Sequence, residues 1–209
     1  LRQVADFCDR HDLILISDDI HADLVLPGGP RHRMMATVAP DILPRLVTLT
    51  AATKTFNIAG AHIGNAIIPD PDLRARFQGA LAAAGISPAM LGQDMVAAAY
   101  SPEGAAWVDA LVDYLDGNRR IFDQAVNAIP GLRSMPLQAT YLSWVDFRDT
   151  GMTDAEITRR IQDDARIAAN HGATFGLGGD GFMRFNIATP RARVIEAADR
   201  LRAAFADLQ

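Results

Sequence analysis

The chain has 209 residues, of which 49% are hydrophobic and 22% are charged, and its formal net charge is −5. This composition is that of a globular protein with room for one or two domains and a real core. The acidic balance argues against a nucleic-acid-binding or anionic-membrane-binding surface, and no apolar run approaches the ~18 residues of a membrane span. A single cysteine, Cys8, excludes an internal disulfide and predicts a cytoplasmic protein.

The apolar pattern predicts alternating helices and strands in the first part of the chain. Apolar residues at helical spacing over 1–8 predict a helix that is already under way at residue 1, with Cys8 in the core. The run LILIS (13–17) predicts a strand that is buried on both faces, as in a parallel sheet. Two more strands are predicted at RLVTLT (45–50) and AHIGNAIIP (61–69).

Two helices are predicted over 88–100 and 102–129, and the pattern changes after the second of them. Each of these helices starts at a serine followed by proline. Strands are then predicted at TYLSWVDF (140–147) and FMRFNIA (182–188), with a capped helix between them and an amphipathic helix at the end of the chain. The order predicts an α/β fold with a smaller α+β unit after it.

Lys54 is the only lysine in the chain, because the other 19 of its 20 basic residues are arginines. Arginine stays protonated, whereas a lysine amine can lose its proton and form a Schiff base. Lys54 also follows the strand predicted at 45–50, at the end where α/β sheets place their sites. Composition alone leaves a functional amine and a chance surface lysine equally open.

Two other segments place charged groups at or near predicted strand ends. LISDDIHADLVL (15–26) has adjacent carboxylates at Asp18 and Asp19, with His21 shortly after them. GDGFMRFNIATPR (179–191) places Arg184 on a strand, and a planar guanidinium suits a bidentate carboxylate contact. Taken singly, these residues are more typical of a capping aspartate, a surface histidine and a surface arginine.

Taken together, the segments TKTFNIAG, LISDDIHADLVL and GDGFMRFNIATPR resemble three motifs of the fold type I pyridoxal-phosphate enzymes, the aminotransferase class I/II group. The variant here is most similar to cystathionine β-lyase-like C–S lyases, and the resemblance covers nearly the whole chain as the C-terminal half of such an enzyme. It implies part of the mixed or parallel large-domain sheet of the aspartate aminotransferase fold in 1–115. A small α+β C-terminal domain is implied in 116–209.

The resemblance also implies a role for each motif residue. Lys54 would carry pyridoxal 5′-phosphate as a Schiff base, and Asp18 would keep the pyridine nitrogen protonated. His21, which stands where aminotransferases usually have tyrosine, would contact the phenolic oxygen. Arg184 would hold the substrate α-carboxylate, and Thr53 is a candidate ligand of the phosphate. No metal ion is implied.

Two positions depart from the family pattern around the lysine. His62 stands where an arginine often binds the phosphate, and Ala51 stands where a serine often does. Thr50 is an alternative to Thr53 as a substitute for the missing serine, and Asp19 is an alternative to Asp18 as the partner of the pyridine nitrogen. Phosphate binding is therefore less firmly implied than the Schiff base.

The implied reaction is α,β-elimination on a cysteine S-conjugate such as cystathionine, which gives a thiol, pyruvate and ammonia. The implied protein is a cytoplasmic homodimer that acts on a small amino acid. An aminotransferase that uses the same residues is an open alternative. So is an inactive, truncated chain with an interaction or regulatory role, because the family's glycine-rich phosphate turn would precede residue 1.

Overall fold

The computed structural model describes residues 1–208, and the chain forms two compact units. The first unit comprises residues 1–25 and 30–110, and the second comprises residues 26–29 and the chain from residue 111 onward. Each unit contains its own β-sheet. The helices within residues 1–208 include none that is both long and apolar enough to cross a membrane.

The first unit has a three-stranded mixed sheet. Its helices and strands are α1 (Arg2–Arg10), β1 (Leu15–Asp18), α2 (Met35–Val38), β2 (Leu46–Thr50), α3 (Ala52–Thr55), β3 (Asn65–Ile67), α4 (Pro71–Ala83), α5 (Met90–Ala99) and the start of α6 (Pro102–Asn127). Strands β1 and β2 are parallel, whereas β3 pairs with the other edge of β2 in the antiparallel direction. All three strands lie within or next to the segments that the sequence predicts as strands.

The core of the first unit covers one face of β1 only. Leu15 packs against a buried cluster that is formed by Ala5, Cys8, Met35, Ala39, Ile42 and Leu46. Ile16 points to the opposite face, because successive residues of a strand alternate, and it is 61% exposed. Within residues 1–208, only one face of β1 is covered, so the prediction that this strand is buried on both faces is wrong. Cys8 is a buried free cysteine of this core, as predicted.

The sequence pattern does not predict α4, because none of its residues is buried and it has no apolar stripe. The signals at its start are clearer. The Asp70 carboxylate accepts a hydrogen bond from the Leu73 N–H at 2.8 Å, and Pro71 occupies the first turn, where its missing N–H costs nothing. The sequence signals of α4 therefore lie at its start and not on an apolar face.

The second unit has a four-stranded antiparallel sheet in the order β4-β5-β7-β6. After the C-terminal part of α6, its elements are β4 (Arg133–Ser134), β5 (Leu142–Asp146), α7 (Asp154–Arg159), β6 (Asn170–His171), β7 (Phe182–Asn186) and α8 (Arg191–Ala204). Helix α7 starts at Thr153, whose hydroxyl accepts a hydrogen bond from the Glu156 N–H, and a π-helical turn over Arg160–Asp164 follows it.

One face of this sheet packs with α6, α7 and α8 in a single core. Its fully buried large side chains are Val126, Ile129, Phe147, Ile161, Met183, Ile187, Leu201 and Phe205. Met183 and Phe185 of β7 point into this core, whereas Phe182, Arg184 and Asn186 point to the opposite face. The first unit is mixed α/β and the second is α+β, which confirms the predicted fold class.

Candidate active site

Lys54 lies in α3, which begins two residues after β2 ends. Ala51 is extended and buried, and Ala52 is fully buried, so small side chains occupy the turn between the strand and the helix. The Lys54 side chain is half-buried. Within residues 1–208 its amine makes no hydrogen bond and no ion pair. A partly buried amine without a counter-charge is available for chemistry.

Asp18 is the last residue of β1 and lies opposite Leu49 of β2. Because β1 and β2 are parallel, Asp18 and the chain that leads to Lys54 emerge at the same edge of the sheet. The Asp18 carboxylate is exposed and accepts a 3.3 Å hydrogen bond from the Ile20 N–H. It forms no ion pair with any of the described residues.

Asp19 has quite different surroundings from Asp18. Its side chain is only 8% exposed and lies 2.9 Å from Nε2 of His32. Its other oxygen accepts a hydrogen bond from the Ser17 hydroxyl, also at 2.9 Å. The Asp19 carboxylate is therefore engaged on both oxygens inside the unit, and its neighbour is not.

The remaining predicted residues of this unit lie near the same strand ends. His21 is half-buried in the turn after β1, where its carbonyl accepts a hydrogen bond from the Leu24 N–H at 3.0 Å. Thr53 is half-buried in α3, and its carbonyl accepts from the Ile58 N–H at 3.0 Å. His62 is exposed and has a left-handed backbone (φ 46).

The first unit also contains a cleft of about 590 Å³ that is not predictable from the sequence. Its polar lining comes from Asp19, Asp23, Thr50, Asn65 and Tyr100, so it lies on the side of the sheet that Asp19 faces. Burial, together with the charge of Asp23, raises the pKa of the Tyr100 hydroxyl. The sequence gives no signal for this cleft, because its residues come from five separate segments without a motif.

Arg184 lies in the second unit, on the outward face of β7, between Trp144 and Asn170 in register. Its Nη2 donates a hydrogen bond to the Asn170 side-chain oxygen at 3.1 Å. The guanidinium carbon lies 4.5 Å from the centre of the Phe175 ring. Its Nε is buried and has no hydrogen-bond partner among the described residues.

The first unit therefore contains four of the five predicted site residues, namely Asp18, His21, Thr53 and Lys54. The structure brings Asp18 and Lys54 to one sheet edge, and Arg184 belongs to the other unit. Each of these roles stays a prediction.

The chain belongs to the aminotransferase class I and II family, because residues 1–201 match the model of that family. Among curated proteins, it is 34% identical to cystathionine beta-lyase PatB of Bacillus subtilis over 98% of its own length. It is also 34% identical to protein MalY of Escherichia coli over 93% of its length. The chain spans about half of these relatives, 53% of PatB and 49% of MalY.

Solved structures show the same fold. The chain superimposes along its whole length on 53% of cystalysin from Treponema denticola, with a TM-score of 0.92 and 34% identity. That crystal structure contains a pyridoxal 5′-phosphate cofactor. The predicted family and its fold are thus confirmed, and the chain corresponds to about half of such an enzyme.

Proposed function

We propose that this chain carries the cofactor-binding lysine of a pyridoxal-phosphate-dependent C–S lyase. The observation that carries the proposal is the presence of two groups without ionic partners at the same edge of the sheet. The half-buried amine of Lys54 and the carboxylate of Asp18 have no ionic partner within residues 1–208. The likeness to PatB and to cystalysin supports the same conclusion.

The donor set of the chain fits pyridoxal phosphate. The cofactor needs an amine for covalent attachment and an anion beside its pyridine nitrogen, which Lys54 and Asp18 can supply. Asp18 suits the second role better than Asp19, because both Asp19 oxygens are occupied by Ser17 and His32. His21 is proposed as the contact of the phenolic oxygen, and Thr53 as one contact of the phosphate.

When it is bound, pyridoxal phosphate supplies an electron-withdrawing ring that stabilises negative charge at the substrate Cα. The Lys54 Nζ would hold the cofactor covalently, and as a free amine it would be the general base that removes the α-proton. Asp18 holds the proton on the pyridine nitrogen by its charge. Arg184 binds the substrate α-carboxylate, for which a planar guanidinium is suited.

The proposed reaction converts a cysteine S-conjugate such as cystathionine, with one water, into a thiol, pyruvate and ammonia. The bond that breaks joins Cβ to sulfur, and the Lys54 amine takes the proton from Cα. We further propose that the protein works in the cytoplasm as a homodimer. The buried free thiol of Cys8 supports the cytoplasmic location, since such a thiol suits a reducing compartment.

The test is attachment of the cofactor at the only lysine of the chain. Addition of pyridoxal phosphate should give a visible absorption band, and borohydride reduction should then fix the cofactor on the peptide that contains Lys54. Lys54→Ala should lose the band, and Lys54→Arg, which keeps the charge but cannot form a Schiff base, should lose it too. A band that survives both substitutions contradicts the proposal, and no band with the unmodified chain favours an inactive chain.

An aminotransferase is the second candidate, since the family includes that activity and the same residues would serve it. The two differ in what they need to turn over. A lyase releases pyruvate from cystathionine without any other substrate, whereas an aminotransferase requires a keto acid such as 2-oxoglutarate. Pyruvate release that depends on added keto acid would favour the aminotransferase.

A further inference from the structure

Arg184 differs from most arginines of this chain in how it is held. Ion pairs with carboxylates hold many of the others, for example Arg119, Arg148 and Arg160. Arg184 forms no ion pair with any of the described residues. Its contacts are a hydrogen bond to the neutral Asn170 amide and the face of the Phe175 ring. The positive charge of Arg184 is therefore supported but not neutralised.

Phe175 is itself held in place by neighbours in the second unit. The Phe175 ring meets the edge of Trp144 at a centroid distance of 5.5 Å and an interplanar angle of 76°. Trp144 stacks on Phe182 at 5.4 Å, and Phe182 in turn lies 4.6 Å from the guanidinium carbon of Arg148. We call Phe175, Trp144 and Phe182 the aromatic ladder, which has an arginine at each end.

The turn that carries Phe175 is closely packed. Phe175 ends the 3₁₀ turn Gly172–Phe175, which directly follows β6. A Cβ atom at Gly172 would lie 2.1 Å from the carbonyl oxygen of Gly179, so only glycine allows this approach. The close contact fixes the start of the turn, and through it the position of the Phe175 ring.

We propose that Phe175 is a positioning residue that preforms Arg184 as a receptor for the substrate carboxylate. This inference rests on the proposed function, in which Arg184 binds that group. An aromatic ring supports a guanidinium through its face and uses none of the donors at its edge. At Arg184 the Asn170 contact occupies only Nη2 among the described residues. A carboxylate in the same place would occupy those donors and cancel the charge. Preformation also lowers the ordering cost of an arginine side chain on binding.

The experiment measures carboxylate binding directly and needs no cofactor. Propionate is titrated into the chain, with propionamide as the uncharged control, and the nitrogen–proton NMR signal of Arg184 Nε is followed. Arg184→Lys assigns that signal by its loss. Phe175→Leu removes the ring but keeps an apolar side chain, and Phe175→Tyr keeps the ring. Phe182→Leu is the matched control, because it removes the ladder residue that contacts Arg148 instead.

Phe175→Leu should weaken propionate binding by about three- to tenfold, which is the ordering cost of one long side chain. In this variant the Nε hydrogen of Arg184, which is buried in the structure, should exchange faster with solvent. Phe175→Tyr and Phe182→Leu should stay within about twofold of the unmodified chain. Because the Phe175 side chain is half exposed, both Phe175 variants should fold, and thermal unfolding checks the fold of every variant.

Two outcomes overturn the inference and are distinct from a failure of the proposed function. If Phe175→Leu binds propionate as well as the unmodified chain does, Phe175 does not position Arg184. If Phe182→Leu weakens binding as much as Phe175→Leu, the effect belongs to the fold of the ladder. If Arg184→Lys has no effect, or if the unmodified chain does not bind propionate, the proposed role of Arg184 itself fails and the inference fails with it.

Discussion

At the scale of single residues, the adjacent carboxylates Asp18 and Asp19 show how a strand end separates structural from chemical roles. Side chains alternate between the two faces of β1, so the neighbours point in opposite directions. Asp19 is buried between Ser17 and His32, whereas Asp18 has one long hydrogen bond and solvent. The sequence leaves the choice between them open, and the observed contacts favour Asp18 as the group that faces a cofactor.

Asp18→Asn should therefore lower the turnover of cystathionine by about 10²–10³-fold, because the pyridine nitrogen loses the charge that keeps it protonated. Asp18→Glu keeps the negative charge, so its turnover of cystathionine should fall much less. Steady-state pyruvate release measures both effects. Should Asp19→Asn abolish turnover while Asp18→Asn does not, and both variants remain folded, the roles of the two residues would be reversed.

A buried carboxylate in the second unit makes stability depend on pH. Arg148 donates hydrogen bonds to Asp146, Arg133 adds another, and together they hold the pKa of the Asp146 carboxyl well below its usual range. A lowered folded-state pKa adds stability that is fully present above the ordinary aspartate value of about 4. That stability is lost as the pH falls through the lower, folded-state value.

Asp146→Asn should reduce the free energy of unfolding by about 1–3 kcal/mol near neutral pH, because hydrogen bonds to a charged group are lost. It should also flatten the decline of stability below about pH 4. Urea unfolding at several pH values measures both changes. Asp149→Asn, at an exposed position nearby, is the matched control and should change little. An equal decline with pH in both variants would show that Asp146 is not the source.

At the scale of elements, Gly79 and Gly104 both lie within helices but have opposite surroundings. A Cβ atom at Gly79 of α4 would have nothing within 4 Å. A Cβ atom at Gly104, in the first turn of α6, would lie 1.9 Å from the backbone oxygen of Ala99. The same substitution should therefore change stability in opposite directions at the two positions.

Gly79→Ala should raise the free energy of unfolding by about 0.5–1 kcal/mol, since alanine loses less backbone entropy in a helix. Gly104→Ala should lower it by about 1–3 kcal/mol, because the backbone must move to relieve the clash. Denaturant unfolding of the two variants side by side gives the comparison. Similar changes in both would mean that the close approach at Gly104 is easily relieved.

Which elements can be predicted depends on whether burial leaves a pattern in the sequence. The long helix α6 and the helix α8 are predicted, since each has an apolar stripe and a proline at or before its start. Helix α4 is missed because it buries nothing, and the two-residue strands β4 and β6 are too short to show alternation. The face of β1 is mispredicted, because an apolar run cannot show whether a second layer covers it.

For the site, the sequence predicts residues that belong to a motif and misses those that act through packing. Lys54 and Asp18 are found from the segments around them, and the structure adds that parallel strands bring them to one edge. Phe175 and Asn170 contact Arg184 from outside β7, and only the sheet register and the 3₁₀ turn bring them together. No spacing rule in the sequence specifies such contacts.

At the scale of the whole molecule, the first unit exposes a group of large apolar side chains, and such groups often mark contact surfaces. Several large side chains in and around α5 and the start of α6 are exposed, namely Ile86, Met90, Leu91, Met95, Tyr100 and Trp107. Met90 and Leu91 are the most open of these, at 77% and 69%. Such a surface suits the proposed self-association of the chain.

The double substitution of Met90→Gln and Leu91→Gln should weaken self-association by at least about tenfold. Burial of either apolar side chain on association is worth about 1.5–3 kcal/mol. Light scattering across a concentration series measures this. Leu177→Gln, at an exposed position in the second unit, is the control and should leave association unchanged. If the unmodified chain, the double variant and Leu177→Gln all associate equally strongly, the self-association surface lies elsewhere.

The stacked aromatic pairs have a practical consequence for following how the chain unfolds. The chain has two tryptophans, and each unit contains one of them. Trp107 stacks on Phe56 at 5.2 Å in the first unit, and Trp144 stacks on Phe182 in the second. With Trp107→Phe or Trp144→Phe, the remaining indole becomes a fluorescent reporter of one unit. The emission of the two variants then shows whether the units melt together or one after the other.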